Sequence, residues 1–167
     1  MKKATITFLL SIFSIVLFAQ DFEVPKNYTL SQAEDYAQYE EDILKCIDWL
    51  VQTPHNEQAS KRESANSFLL AWLTGSPNVT IVLKEEIVTF IDETTPELLM
   101  IFLGGWTKYT LESDGSKDEV SGNLAGIEAV IEYYKKNKDF LPKNKNVEKY
   151  IKMKNKGKLK DFVESNI

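Results

Sequence analysis

Two glycines stand where a helix tolerates them least. Leu98 to Leu103 is apolar all round, which implies burial on every side, and Trp106, Tyr109 and Leu111 continue the same helical pattern. Gly104 and Gly105 lie inside it, and each costs about 1 kcal/mol relative to alanine in a helix interior. Further along, Gly122, Ala125, Gly126 and Ala129 fall at i, i+3, i+4 and i+7, so small residues line one face of the next helix. The polar link Ser113-Asp114-Gly115-Ser116-Lys117 separates the two segments, with Gly105 and Gly126 nearly equidistant from it. An antiparallel pair closing about that link brings the Gly104-Gly105 pair against Gly122 to Gly126, and small residues let two backbones approach closely. Alternatively, the missing side chains leave a pocket floor beside Trp106 and Tyr109.

Helical spacing organises the rest of the chain. A first helix is expected from about Ser31 to Gln52, opened by a Ser31/Glu34 capping box, with Ala33, Tyr36, Ile43, Leu44, Ile47, Leu50 and Val51 on its apolar face. Pro54 stops it. A second is expected over Gln58 to Thr74, where Ala65, Phe68, Leu69, Trp72 and Leu73 form a core-facing stripe before Gly75, Ser76 and Pro77. Val79 to Leu83 is β-branched and apolar, the one candidate for a short extended piece, and 84–92 offers Ile87, Phe90 and Ile91 at helical spacing. Thr95-Pro96-Glu97 reads as a helix start, with Thr as cap, Pro in the first position and Glu at the positive end of the dipole. A helix from about Asp118 to Lys136 follows, and after Pro142 come two short amphipathic pieces separated by Gly157. The expected fold is all-α, a single compact bundle of five to six helices.

The N-terminus has the three-part layout of a secretory signal: Lys2 and Lys3, the apolar stretch Ile6 to Phe18, then Ala19. The stretch is shorter than the roughly 20 apolar residues of a spanning helix. Residues 1–19 are therefore expected to be a cleaved signal and 20–167 a single helical domain, periplasmic or secreted, with no integral membrane segment after cleavage. Removing nineteen of 167 residues leaves 148, enough for one core. With Lys2 and Lys3 gone, 18 basic residues oppose 25 acidic ones, a net charge of −7. That balance argues against general nucleic-acid binding, which needs a basic surface to displace counterions. The tail is nevertheless basic, since residues 135–167 carry eleven lysines against four acids. It reads as a solvated or complementary face, or as a patch for an anionic surface or partner.

One cysteine permits no internal disulfide. Cys46, on the margin of the first helix's stripe, reads as a buried structural thiol, and His55, the only histidine, as an exposed residue just beyond a helix end. Two residues break the first helix's pattern. Glu40 falls in the middle of the apolar stripe; it reads as a local bend, as a carboxylate bonded to a tyrosine or helix terminus, or as a ligand-facing acid. Trp49 falls on the charged face, so either another segment covers it, such as Phe22 to Tyr28, or it marks an interface. Gly-rich phosphate loops and the HExxH, CxxC, GxSxG and EF-hand patterns are missing from the sequence, and no cofactor or metal is expected. The pairs Glu40-Glu41, Glu85-Glu86 and Asp92-Glu93 supply carboxylates of the kind a glycosidase uses, but adjacent acids on a helix point different ways.

The lysine-rich C-terminus and the Phe18-Ala19-Gln20 signal end resemble small exported proteins of the Bacteroidetes. The order over Glu97 to Val163 is Phe102-Leu103-Gly104-Gly105-Trp106 in one helix, a second ending Val130-Ile131-Glu132-Tyr133-Tyr134, then a proline link and a short helix. It resembles periplasmic immunity proteins that neutralise effectors of the type VI secretion system, although the cysteines common in that family are missing. The expected function is that of a non-catalytic binding or interaction domain of the cell envelope with a protein partner, an immunity or inhibitor role being one form of it. The binding candidates are Glu40, Trp49, Gly104, Gly105, Trp106 and Tyr109. The alternative is a hydrolase of envelope polymers, which requires Glu40 and another acid to converge in a cleft near Trp106.

Overall fold

The computed structural model describes residues 22–167, and the expected signal segment 1–19 lies outside them. Seven helices and no strand occur among the described residues: α1 Ala33–Ala37, α2 Glu40–Gln52, α3 Ala59–Gly75, α4 Glu97–Glu112, α5 Glu119–Lys136, α6 Lys145–Asn155 and α7 Leu159–Glu164. The α4–α5 hairpin is the centre of an all-α bundle. It turns where Asp114 and Gly115 both take positive φ, 51° and 75°, and the Gly115 amide donates to the Thr110 carbonyl at 2.9 Å. Asp118 then caps α5 by accepting from the amides of Val120 and Ser121.

The expected close crossing is present, and the two glycines divide the task. A Cβ built on Gly105 comes within 2.6 Å of the Ala129 Cβ, 2.7 Å of the Ala125 carbonyl and 3.0 Å of the Gly126 Cα. One built on Gly126 comes within 2.6 Å of the Phe102 ring, and on Gly122 it strikes the Trp106 indole. Gly104 faces away from α5, with Ile47 of α2 at 3.3 Å and Leu69 of α3 at 3.7 Å from its built Cβ. So Gly105 seats α5 on one side of α4, while Gly104 seats α2 and α3 on the other.

The first expected helix is two. The Tyr36 carbonyl accepts from the Tyr39 amide at 3.1 Å and from the Trp72 indole N–H at 2.9 Å, so the turn closes tightly and α2 restarts at Glu40. The cap also differs: the Asp35 carboxylate, not Glu34, accepts from the amides of Ser31 and Gln32. These bonds hold Asp35 below the usual carboxylate range. Ala33, expected to face the core, is exposed. Splitting that helix takes the six segments expected outside 84–92 to seven.

Residues 79–92 form neither a strand nor a helix. The Lys84 carbonyl accepts from both Ile87 and Val88, a single turn that buries Ile87 and Phe90 completely. Thr95 does not cap the amides of α4. Its hydroxyl donates to Asp92 Oδ1 at 3.0 Å, and it is Asn144 that ties this region to the C-terminal layer. Asn144 Nδ2 donates to the Phe90 carbonyl and Thr95 Oγ1, its Oδ1 caps α6 through the amides of Asn146 and Val147, and its own amide donates to the Tyr134 hydroxyl. Val147, Tyr150, Leu159 and Val163 then anchor α6 and α7 in the common core, so much of the basic tail is helix packed on the bundle.

Gly105→Ala should cost about 2 kcal/mol or more, because overpacking against fixed helix backbone outweighs the gain of about 1 kcal/mol in propensity. Gly104→Ala meets only side-chain ends and should cost less than about 1 kcal/mol. Urea denaturation of both variants checks this; equal stabilities would contradict the asymmetry.

Candidate functional site

A groove of about 610 Å³ runs over the glycine crossing, between α2, α4 and α5 with Lys154 of α6 at one end. Gly105, Ala125 and Ala129, where the two backbones approach closely, line it together with the buried apolar side chains of Ile47, Val51 and Ile131. Around them stand three lysines, Lys108, Lys135 and Lys154, and four carboxylates, Asp48, Glu112, Glu128 and Glu132. Two of the lysines pair across helices. Lys108 of α4 reaches Asp48 of α2 and, at 3.7 Å, Glu112 one turn on. Lys154 reaches Glu128 of α5 at 2.8 Å, and Gln52 of α2 donates to Glu132 of α5 at 2.6 Å while accepting from Lys136. Partial burial pulls the Lys108 ammonium down, but the Asp48 hydrogen bond and the charges of Asp48 and Glu112 outweigh it and hold the group above its ordinary value.

Two of the six binding candidates meet here. Gly105 is in the floor, and Tyr109 lines the wall with its hydroxyl 3.1 Å from Ser116 Oγ. Trp106 does not: its indole covers Gly122 and packs edge-on to Phe102 at 6.0 Å, so it is core. Gly104 is occupied by the α2 and α3 contacts. Glu40, at the first position of α2, accepts from Asn78 Nδ2 at 2.9 Å and is not part of the groove, so the acid does not converge with others near Trp106. Trp49 is 8 % exposed and covered, as one option required, by the N-terminal stretch: Phe22 lies 6.3 Å away centroid to centroid, with Lys61 and Arg62 over the indole at 5.1 and 5.6 Å.

The groove's charged residues had a sequence signal. Lys108 is the only charged residue of α4 between Glu97 and Glu112, in a helix otherwise built for burial. Arg62 carried a plainer one, being the only arginine beside nineteen lysines. It lines a second concavity of about 510 Å³ with His55, Asn66, Leu70 and Met100. Its guanidinium, however, donates to the carbonyls of Leu50, Thr53 and Pro54 at 3.2, 2.9 and 2.9 Å, closing the C-terminus of α2. It is a structural joint. His55 belongs to the same joint and is not the exposed loop residue expected: its amide donates to Asn137 Oδ1 and its Nδ1 lies 2.8 Å from the Tyr133 hydroxyl. Cys46 is fully buried, its thiol directed at the Ala65 carbonyl at 3.4 Å, and desolvation pushes it up to about 12. A thiol so shifted is inert at neutral pH.

No group of His, Cys, Asp and Glu able to hold a metal ion occurs among the described residues, and no described helix is long and apolar enough to cross a membrane. No protein-family model matches the chain, and neither curated proteins nor solved structures give a match. The groove itself offers charge and shape: a strip of small and apolar residues flanked by the ion pairs of Lys108 and Lys154.

Burial also pushes the Tyr133 phenol up to about 12, with the nearby Arg62 charge opposing the shift. Both Cys46 and Tyr133 bind their protons more tightly folded than unfolded, so their contribution is complete below about pH 8.5, where the unfolded thiol begins to ionise, and is lost as pH rises towards 12. Denaturation midpoints should fall from pH 8 to 10, and Cys46→Ala should flatten the onset. A midpoint unchanged across that range would contradict it.

Proposed function

We propose that this chain is an exported, non-catalytic binding domain of the cell envelope that recognises a protein segment in the groove between α2, α4 and α5. The observation that carries the proposal is the groove's construction: an apolar strip of Gly105, Ala125 and Ala129 beside Ile47, Val51 and Ile131, inside a rim of three lysines and four carboxylates. A peptide or loop brings its own charges and exchanges them with rim pairs that are partly exposed and individually worth little, while its backbone or small side chains lie on the floor. Chemistry at this place would need an activated nucleophile or an unpaired acid, and the acids here are engaged by Lys108, Lys154 and Gln52.

An inhibitor or immunity role against an envelope-acting effector is one form of this proposal. It is supported by the order of α4, α5, a link containing Pro142, and α6, which follows the layout noted in the sequence. Export is supported by the N-terminal pattern, and intact mass of the product should begin at Gln20.

The site is tested with a photo-crosslinking amino acid at Tyr109 or Lys135, and at the exposed loop residue Leu83 as control, in the chain's own compartment. A single covalent adduct from positions 109 and 135, missing from position 83 and lost in Lys108→Glu, supports the groove. Adducts of equal yield at all three positions, or at none, would overturn it.

A further inference from the structure

The C-terminal layer carries a row of charge that the fold does not use. On α6, Lys145, Lys149, Lys152 and Lys156 recur at i, i+4, i+7 and i+11, Lys156 being the residue that ends the helix. They form one stripe with about one ammonium per turn. The buried residues of the helix are Val147 and Tyr150; at about 100° per residue they lie on the side opposite the stripe. All four lysines are exposed, and among the described residues none has a carboxylate within ion-pair distance.

Neighbouring lysines behave differently. Lys154, on the inner side, pairs with Glu128, and Lys160 with Glu164. Lys138 and Lys143 converge on Glu148 at 3.8 and 3.6 Å, so the one acid of α6 is already held by two ammoniums from outside the row. Lys149 has only the Phe162 ring, 5.4 Å away. Like charges at these spacings destabilise a helix by about 0.2–0.5 kcal/mol per pair. Lys145 occupies the first position of α6, where the dipole disfavours a cation. The row therefore opposes the helix that bears it, in a chain whose overall charge is −5.

We propose that the outer face of α6 binds a linear phosphate polyanion laid along these four lysines. Lysine meets phosphate as a compact point charge. The row spans about 16 Å, is one residue wide and stands on a convex helix face. That shape follows an extended chain, whereas a sheet of lipid headgroups would engage a broad face. Affinity comes from counterion release, which gives the interaction a defined salt dependence.

The test uses short inorganic polyphosphate as probe and the purified protein, with two fourfold variants. One carries Lys145→Gln, Lys149→Gln, Lys152→Gln and Lys156→Gln; the other removes the same number of charges through Lys26→Gln, Lys45→Gln, Lys84→Gln and Lys117→Gln. Circular dichroism establishes that each is folded. Wild type should bind with a log K against log salt slope of about −3 for four contacts, the second variant should match it, and the first should bind at least about tenfold more weakly with a slope near zero. Three results would overturn the proposal: no wild-type binding at low salt, equal binding by the row variant, or binding to phosphatidylglycerol vesicles with none to polyphosphate.

Discussion

The bundle depends on one contact that only glycine permits, the backbone approach of α4 to α5 at Gly105 and Gly126. Two helices of 16 and 18 residues are held close enough for Phe102 and Trp106 to lie across Gly126 and Gly122 instead of separating the axes. The aromatic side chains therefore fill space that larger residues on α5 would have taken. Gly104, one residue along, does the same for α2 and α3 through Ile47 and Leu69. A helix that loses about 2 kcal/mol of propensity to two glycines gains contacts on two sides.

What apolar packing leaves undetermined, buried polar joints complete. Arg62 takes three carbonyls at the end of α2, and Asn144 joins the turn region 84–96 to α5 and α6. Both are nearly buried, so most of these bonds form where little water competes for them, and losing them would be costly. Asn144, with Ile87 and Phe90 buried in the core, explains how 79–92, without regular structure, stays attached to a helical bundle.

Much of this was legible because it rests on period and punctuation. The stripe Ala65, Phe68, Leu69 and Trp72, the Asp114-Gly115 turn and the Gly157 break all express local rules and were found where expected. The opposed glycine stripes conveyed a long-range contact because both faces were marked by the same rare composition. The break at Tyr36–Tyr39 was hidden, since it depends on the Trp72 indole arriving from another helix. So was the partnership of His55 with Tyr133 and Asn137, some 80 residues away. Of the binding candidates, Gly105 and Tyr109 reached the groove because a close helix crossing creates one beside itself; Trp106 belonged to the packing that makes the crossing. Glu40 stood out only because one long helix was assumed.

The groove runs beside the glycine and alanine crossing, so the proposed binding surface and the fold share one cause. Its most direct test is nuclear Overhauser spectroscopy of the protein in solution. The hydrogen of Gly105 that occupies the Cβ direction points at the Gly126 Cα and the Ala129 methyl, to which a built Cβ would lie at 3.0 and 2.6 Å. The account predicts strong cross-peaks from Gly105 Hα to Gly126 Hα and to the Ala129 methyl. If both are missing, or come from Gly104 instead, the crossing is not what holds α4 to α5, and the groove built on it falls with it.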